Sequence, residues 1–221
     1  MVGDRGSRVP KLPEPPSVDA LRRIPPELVT LTRGTRLARV FFAGGDHPTR
    51  WDEFRHYGPT GSRFDHHVPD DRGESAVQER SILYCATAAP TCFAEVFQAT
   101  RRINRTRRSP RLVVFVLQRD LTLLDLTGTF PTRAEASMAI NTGSRSRARR
   151  WAQCFHAAYD TIEGIYYPSS MCGNRPAVAL NERAERSACL PELPEFNRAL
   201  ADDLLVDVLK HCGHDLGYGL I

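Results

Sequence analysis

Glu95 is a carboxylate in an otherwise apolar stretch, SILYCATAAPTCFAEVFQ at residues 81–98. Carboxylates are seldom placed in such surroundings without a partner or a function. If the residues from Thr91 onward form a helix, Glu95 shares a face with Cys92 and Ala99, whose small side chains leave space beside the carboxylate. Two interpretations follow: a glutamate that is exposed or salt-bridged beside a buried face, or a carboxylate that faces a ligand.

Arg39 is the second candidate, in the sequence LARVF at residues 37–41. This run predicts a strand, on which Leu37, Arg39 and Phe41 share one face. A guanidinium among apolar neighbours needs an anionic partner, and its planar fork suits a phosphate or a carboxylate. The sequence leaves two roles open for Arg39, an anion-binding residue or a structural salt bridge at the edge of a sheet.

Ser169 and Ser170 end the stretch YYPSS, and Ser169 follows Pro168 at the end of a predicted strand. Serines are common at strand ends, so this position alone carries little information about function.

The elements that must position these side chains can be predicted from hydrophobic patterns. Residues 1–30 hold six of the sixteen prolines and little apolar periodicity, which predicts a poorly ordered N-terminal segment before a domain at 31–221. Predicted strands cover 35–43, 81–86, 111–118, 122–126, 164–170 and 176–182, and predicted helices cover 91–103, 132–140, 144–158 and 196–213. Short strands without regular βαβ alternation predict a single mixed domain of the α+β class.

Composition excludes several classes of protein. The chain of 221 residues is 41% hydrophobic and 25% charged, as in ordinary globular proteins. It has no apolar run of the roughly 18–20 residues needed to cross a bilayer and no apolar segment typical of a secretory signal. We therefore expect a cytoplasmic protein without membrane association. The six cysteines form no CxxC pair and are expected to be small buried residues.

Two further groups of residues have simple interpretations. Residues 101–111 concentrate six arginines, which could contact nucleic acid or an acidic partner, but no aromatic residue is interleaved to stack on bases. A solvated loop is the favoured interpretation. His56, His66 and His67 lack the spacing of a standard metal motif, so we predict no metal site.

The order of these motifs resembles the RES-domain family, which is named for its characteristic Arg, Glu and Ser. The resemblance covers about residues 31–185 and rests on RV at 39–40, SRFD at 62–65, LYCATAAPTCFAEVF at 83–97, LDLTG at 124–128, RRWAQCFHAAY at 149–159 and YYPSS at 166–170. It implies a fold like that of the ADP-ribosyltransferases, with mixed and antiparallel sheets flanked by helices. It also implies an enzyme that acts on NAD⁺. Many members of the family are toxins of bacterial type II toxin–antitoxin pairs that deplete cellular NAD⁺, so the resemblance implies this role too.

The resemblance also implies roles for individual residues. Glu95 matches the family glutamate, and it would stabilise positive charge on the ribose as the nicotinamide–ribose bond breaks. Arg39 and Arg63 would bind the pyrophosphate. Tyr84 and Ser169, or the adjacent Ser170, would shape the pocket for nicotinamide and ribose.

The reaction implied is hydrolysis or phosphorolysis of NAD⁺, with inorganic phosphate as co-substrate in the second case and no resident cofactor. Two alternatives stay open: transfer of ADP-ribose to a macromolecule, and a non-catalytic interaction module that uses residues 101–111. The expected partners are NAD⁺ and a cognate antitoxin, through which any contact with nucleic acid would be indirect. The sequence leaves the oligomeric state open, a homo-oligomer included.

Overall fold

A nine-stranded sheet organises the protein, and the computed structural model describes it for residues 10–221. The strands in chain order are β1 (Leu28–Leu31), β2 (Arg36–Phe42), β3 (Arg55–Gly58), β4 (Ala76–Ala86), β5 (Arg102–Ile103), β6 (Pro110–Val116), β7 (Leu121–Asp125), β8 (Gly164–Pro168), β9 (Pro176–Asn181), β10 (Phe196–Ala199) and β11 (Gly219–Leu220). The large sheet has the order β1-β7-β8-β9-β4-β2-β6-β10, with β3 paired to β4 beside this path, while β5 and β11 form a small sheet. Within the large sheet only β7 and β8 pair in parallel.

Six α-helices accompany the sheets in the described residues: α1 (Val18–Arg22), α2 (Ala89–Val96), α3 (Phe130–Arg133), α4 (Arg145–Ala158), α5 (Glu182–Arg186) and α6 (Val206–Leu216). Two short 3₁₀ helices lie at Met138–Asn141 and Asp203–Leu205. A large mixed sheet flanked by helices in one domain confirms the predicted α+β class. Among residues 10–221, the helices are all too short or too polar to span a membrane.

Hydrophobic side chains on alternate residues of the strands build one core on each face of the sheet. On β2, Leu37 and Phe41 enter one core, and Ala38 and Val40 enter the other. The period-2 pattern that predicted this strand therefore also predicted its two buried faces. All six cysteines are free, and all except the half-buried Cys154 are buried, as expected.

Strands β2 and β4 part soon after they meet, and this separation forms the candidate site. Their register consists of a single pair, Ala38 with Ala86. Farther along, the same edge of β4 pairs with β3, where Arg55 lies opposite Ile82. Strand β2 continues instead along β6, from Arg36 to Phe42. The opening between the diverging strands exposes residues of both.

The N-terminal segment differs from its prediction wherever the structure describes it. Residues 10–30 pack against the domain, with Leu12 and Leu21 buried in the core. The hydroxyl of Tyr159 donates to the carbonyl oxygen of Leu21 at 2.9 Å, and β1 pairs with β7. A few well-placed apolar residues are sufficient to fix a proline-rich segment, and they show no periodicity in the sequence. Residues 1–9 lie outside the described part of the chain.

Three predicted helices are wrong in part. Residues 132–140 are interrupted because Glu135 and Ser137 adopt positive φ angles of 68° and 56°. The first part of 196–213 is the strand β10, which pairs with β6 at the end of the sheet before the chain turns into α6. Helix α2 also ends earlier than predicted, at Val96, and turns in which the N–H groups of Thr100 and Arg101 donate to the carbonyl oxygen of Phe97 lead into β5.

Candidate active site

A cavity of about 800 Å³ lies where β2 and β4 part, and this volume is within the range typical of small-molecule sites. Helix α2 forms one wall, and the strands β2, β3 and β4 form others. The 3₁₀ helix at Met138–Asn141 and the start of α4 close one end. Five of the six predicted site residues line this cavity: Arg39, Arg63, Tyr84, Glu95 and Ser170.

Glu95 and Ser169, distant in sequence, form a hydrogen-bonded pair. The Ser169 hydroxyl donates to Oε1 of Glu95 at 2.6 Å and accepts from the backbone N–H of Met171 at 3.2 Å. Ser169 is fully buried behind the cavity, whereas Glu95 is half-buried and lines it. Ser169 therefore holds one carboxylate oxygen of Glu95 in place, and the adjacent Ser170 is the serine that borders the cavity.

Helix α2 holds Glu95 firmly because its opposite face is built into the core. Pro90 lies in the first turn, where its missing N–H is no loss. Phe93 and Ala94 are fully buried, and the Cys92 thiol contacts the carbonyl oxygen of Ala38 at 3.1 Å. Glu95 makes no ion pair within residues 10–221, and its half-buried carboxylate lines the cavity.

Arg39 lies on β2 just past its single pairing with β4. Beyond Ala38 the edge of β2 that faces β4 is open, while the other edge of β2 pairs with β6. Within the described residues the Arg39 guanidinium makes no ion pair, and its hydrogen bond is a long one, 3.4 Å, to the carbonyl oxygen of Glu53. Burial lowers the pKa of Arg39 to about 10, so the side chain still carries its charge at neutral pH. The geometry leaves this cation available to an anion in the cavity.

Arg63 is held by backbone carbonyl groups at the closed end of the cavity. Its Nη1 donates to the carbonyl oxygens of Ile140 at 3.2 Å and Gly143 at 2.8 Å. Burial and the positive charge of Arg145 lower the pKa of Arg63, while the charge of Glu95 opposes this shift. Arg63 thus both fixes the loop at 140–143 and adds positive charge near Glu95.

Three polar side chains that line the cavity are buried without a hydrogen-bond partner in residues 10–221. They are Tyr84 through its hydroxyl, Thr91 through Oγ1, and Asn141 through both amide atoms. Burial also raises the pKa of Tyr84. Buried polar groups are normally hydrogen-bonded, and an unpaired one costs about 1–3 kcal/mol. These enclosed polar atoms lie within the wall of the cavity and not on its open surface.

Sequence reasoning missed Asn141, Thr91, Arg145 and Tyr167. Arg145, the first residue of α4, donates to Oε1 of Gln98 at 2.8 Å, and Nε2 of Gln98 donates to the Glu95 carbonyl oxygen at 2.7 Å. The buried Tyr167 ring packs against Phe64 with 4.7 Å between centroids and lines the cavity. Tyr167 stands in the quoted YYPSS motif and could have been selected there, whereas no sequence signal distinguishes Asn141 or Arg145.

Among the charged residues that line the cavity, cations predominate. Four arginines and two glutamates contribute charge: Arg39, Arg55, Arg63, Arg145, Glu53 and Glu95. Arg55 is neutralised by an ion pair with Asp65 at 2.8 Å. The other three arginines make no ion pair within the described residues, and they outnumber the two glutamates. Such a lining favours a ligand with phosphate groups.

The remaining predicted groups lie outside this cavity. In residues 101–111, Arg105 binds the carbonyl oxygens of Leu200 and Ala201, and Arg111 binds Asn197, so these two arginines fasten the loop to the domain. His66 and His156 could hold a metal with Glu182, because their ligand atoms lie within 4.8 Å of one another. Each imidazole, however, already binds its own oxygen of Glu182, at 2.9 and 2.6 Å. The three side chains form a hydrogen-bonded network.

Comparisons with known proteins complete the description of the site. A search of curated proteins gave no match. Among solved structures, the chain is similar to one in the crystal structure of the M. tuberculosis MbcT–MbcA toxin–antitoxin complex, with 19% sequence identity and a TM-score of 0.46. That alignment covers 80% of this chain and 88% of the other. The RES domain matches residues 36–199, which include Arg39, Arg63, Tyr84, Glu95 and Ser169. The chain belongs to the RES-domain family.

Proposed function

We propose that this protein cleaves the bond between nicotinamide and ribose in NAD⁺. The observation that carries the proposal is the Glu95 carboxylate, which is oriented by Ser169 and lines a cavity with three arginines that make no ion pair within residues 10–221. Membership of the RES-domain family supports the same substrate, because the resemblance implies action on NAD⁺.

The reaction places positive charge on the ribose. As the bond breaks, its electron pair stays with the ring nitrogen of nicotinamide, which leaves as a neutral molecule, and the ribose carbon becomes oxocarbenium-like. A carboxylate next to that carbon stabilises the developing charge, as in glycosidases. Ser169 fixes one oxygen of Glu95, so the carboxylate is already oriented before the reaction. Water or phosphate then forms the new bond to the ribose carbon, and its proton passes to solvent.

The arginines are suited to the other charged part of NAD⁺. Arg39 on β2 and Arg63 beside the 140–143 loop lie in the same cavity as Glu95 and make no ion pair within the described residues. We propose that they bind the pyrophosphate, since guanidinium groups form charge-assisted hydrogen bonds with phosphate oxygens. Tyr84 and Tyr167 offer aromatic rings that can contact the flat nicotinamide.

The biological role that fits this chemistry is that of a toxin that depletes cellular NAD⁺ and is neutralised by a cognate antitoxin. The test in cells is induced expression with measurement of NAD⁺ and growth. The wild type should lower both, and Glu95→Gln should lower neither. An unchanged NAD⁺ level with arrested growth would contradict depletion as the toxic event.

Purified protein is incubated with NAD⁺ in the presence and in the absence of inorganic phosphate, and the products are then separated. Their identity shows which reaction takes place. Nicotinamide with ADP-ribose indicates hydrolysis, and nicotinamide with phosphorylated ADP-ribose indicates phosphorolysis. Labelled ADP-ribose on a protein or nucleic acid would instead identify a transferase. Absence of nicotinamide in every condition would contradict the proposal and favour a non-catalytic module. That module would bind nucleic acid in a salt-dependent way, and replacement of the 101–111 arginines should abolish this binding.

A further inference from the structure

Tyr218 lies outside the part of the chain that matches the RES domain, yet it contacts the helix that carries Glu95. The match covers residues 36–199, and Tyr218 belongs to the C-terminal segment, residues 217–221, which follows α6. The side chain of Tyr218 is buried, and its hydroxyl donates to the carbonyl oxygen of Ala94 at 3.2 Å. Ala94 directly precedes Glu95 on α2. A residue beyond the family match therefore contacts the backbone beside the carboxylate.

This contact lies in the last turn of α2, which ends at Val96. A helix leaves its last four carbonyl oxygens without partners inside the helix, and those of Ala94 and Glu95 are among them. The side chain of Gln98 donates to the Glu95 carbonyl oxygen at 2.7 Å. Tyr218 donates to that of Ala94 from a position 124 residues away in the sequence. Tyr218 thus caps the end of the helix that presents Glu95 to the cavity.

The C-terminal segment is attached to the chain that follows α2. The N–H of Gly219 donates to the carbonyl oxygen of Arg101 at 3.0 Å, and β11 pairs in parallel with β5. The guanidinium of Arg101 lies over the ring of Tyr218, 5.8 Å from its centroid. On α6, a Cβ at Gly213 would lie only 2.8 Å from the carbonyl oxygen of Tyr218, so helix and segment meet closely. The Tyr218 hydroxyl is therefore held at a defined place against α2.

The Tyr218 hydroxyl remains a hydrogen-bond donor at neutral pH. Burial raises the pKa of Tyr218, the charge of Arg101 opposes this shift, and the charge of Glu95 adds to it. Tyr218 is not among the residues of 10–221 that line the cavity. Any effect of Tyr218 on a reaction in the cavity must therefore pass through α2.

We propose that Tyr218 is a positioning residue that fixes the Glu95 carboxylate for catalysis through the backbone of α2. Ser169 holds one oxygen of the carboxylate, and Tyr218 holds the carbonyl group of the preceding residue. The two contacts restrict the side chain and the backbone of Glu95, and small displacements of a catalytic group slow a reaction. The inference rests on the proposed function, because it concerns the carboxylate that stabilises positive charge on the ribose.

Tyr218→Phe removes the hydroxyl and keeps the ring. We expect kcat for nicotinamide release from NAD⁺ to fall by about 3- to 10-fold, the rate equivalent of one neutral hydrogen bond. Because Tyr218 does not line the cavity, KM should stay within about twofold of the wild type.

Tyr159→Phe is the matched control. The Tyr159 hydroxyl is also buried and donates to carbonyl oxygens, those of Leu21 and Ile24, but this residue does not line the cavity and does not contact α2 through its hydroxyl. Its loss should lower the thermal midpoint of unfolding and leave kcat and KM unchanged. The comparison separates a positioning role from general destabilisation.

Gly213→Ala tests the same contact without removal of the hydroxyl. The added methyl group would collide with the carbonyl oxygen of Tyr218, so the C-terminal segment must shift away from α6. We expect kcat to fall by at least about threefold with KM within about twofold. This variant also serves if Tyr218→Phe does not fold.

Three results would overturn the inference while the proposed function stands. The first is a folded Tyr218→Phe whose kcat stays within about twofold of the wild type. The second is an effect confined to KM, and the third is an equal loss of kcat in Tyr159→Phe. A wild-type protein that releases no nicotinamide from NAD⁺ would overturn the proposed function together with this inference.

Discussion

Replacement of Ser169 by alanine should impair the chemical step more than substrate binding. The hydroxyl is fully buried and donates a 2.6 Å hydrogen bond to the Glu95 carboxylate. A hydrogen bond to a charged group contributes about 1.5–3 kcal/mol. If this stabilisation is expressed in the transition state, where Glu95 faces positive charge, kcat should fall by about 10- to 150-fold. Because Ser169 does not line the cavity, KM for NAD⁺ should change by less than about threefold.

Nicotinamide release under saturating and limiting NAD⁺ measures kcat and KM separately, and thermal unfolding shows whether Ser169→Ala remains folded. Ser146→Ala, an exposed serine on α4, is the matched control and should behave as the wild type. The reasoning is refuted if folded Ser169→Ala retains kcat within twofold of the wild type. It is also refuted if the whole effect appears in KM, since Ser169 would then act on binding and not through Glu95.

Three other substitutions test different parts of the structure. Arg39→Met should raise KM for NAD⁺ at least about tenfold without lowering the thermal midpoint, because Arg39 makes no ion pair within residues 10–221. A lower midpoint with unchanged KM would indicate a structural arginine. Leu21→Ala should lower the free energy of unfolding, measured in urea, by about 2–5 kcal/mol. The control Leu204→Ala changes an exposed leucine and should lower it by less than about 0.5 kcal/mol. Equal losses in the two variants would contradict the packing of α1. Burial lowers the pKa of His66 from 6.5 to about 4, so between these values the unfolded chain binds a proton that the folded chain excludes. The free energy of unfolding should therefore fall by up to about 3 kcal/mol from pH 6.5 to pH 4. In His66→Gln the free energy of unfolding should depend less steeply on pH over this range. An equally steep dependence in the variant would contradict the assignment to His66.

Elements with strong local patterns were predictable from the sequence. The alternating residues of β2 and the continuous apolar run of β6 gave their strands directly, and α4 begins and ends close to its predicted limits. The strand β10 was predicted as part of a helix, because a four-residue strand carries no pattern that distinguishes it from the start of an amphipathic helix. Only its pairing with β6, over 80 residues earlier, decides its structure.

The candidate site was predictable where a motif carried it. Glu95, Arg39 and Ser169 were selected in family order, and the structure brings Glu95 and Ser169 into contact. The residue-level reasoning left Arg39 and Glu95 undecided, since the partners of a charged side chain depend on tertiary structure. Asn141 was not predictable at all, because an unpaired buried amide is defined by its surroundings and not by its neighbours in sequence.

The central claim is that the Glu95 carboxylate acts on the nicotinamide–ribose bond of NAD⁺. The most direct measurement is the rate of nicotinamide release by purified wild type, Glu95→Gln and the exposed control Glu192→Gln, each with and without phosphate. We predict release by the wild type in at least one condition, an equal rate for Glu192→Gln, and a rate at least about 100-fold lower for Glu95→Gln. Equal rates for wild type and Glu95→Gln, or no release by the wild type in either condition, would contradict the claim.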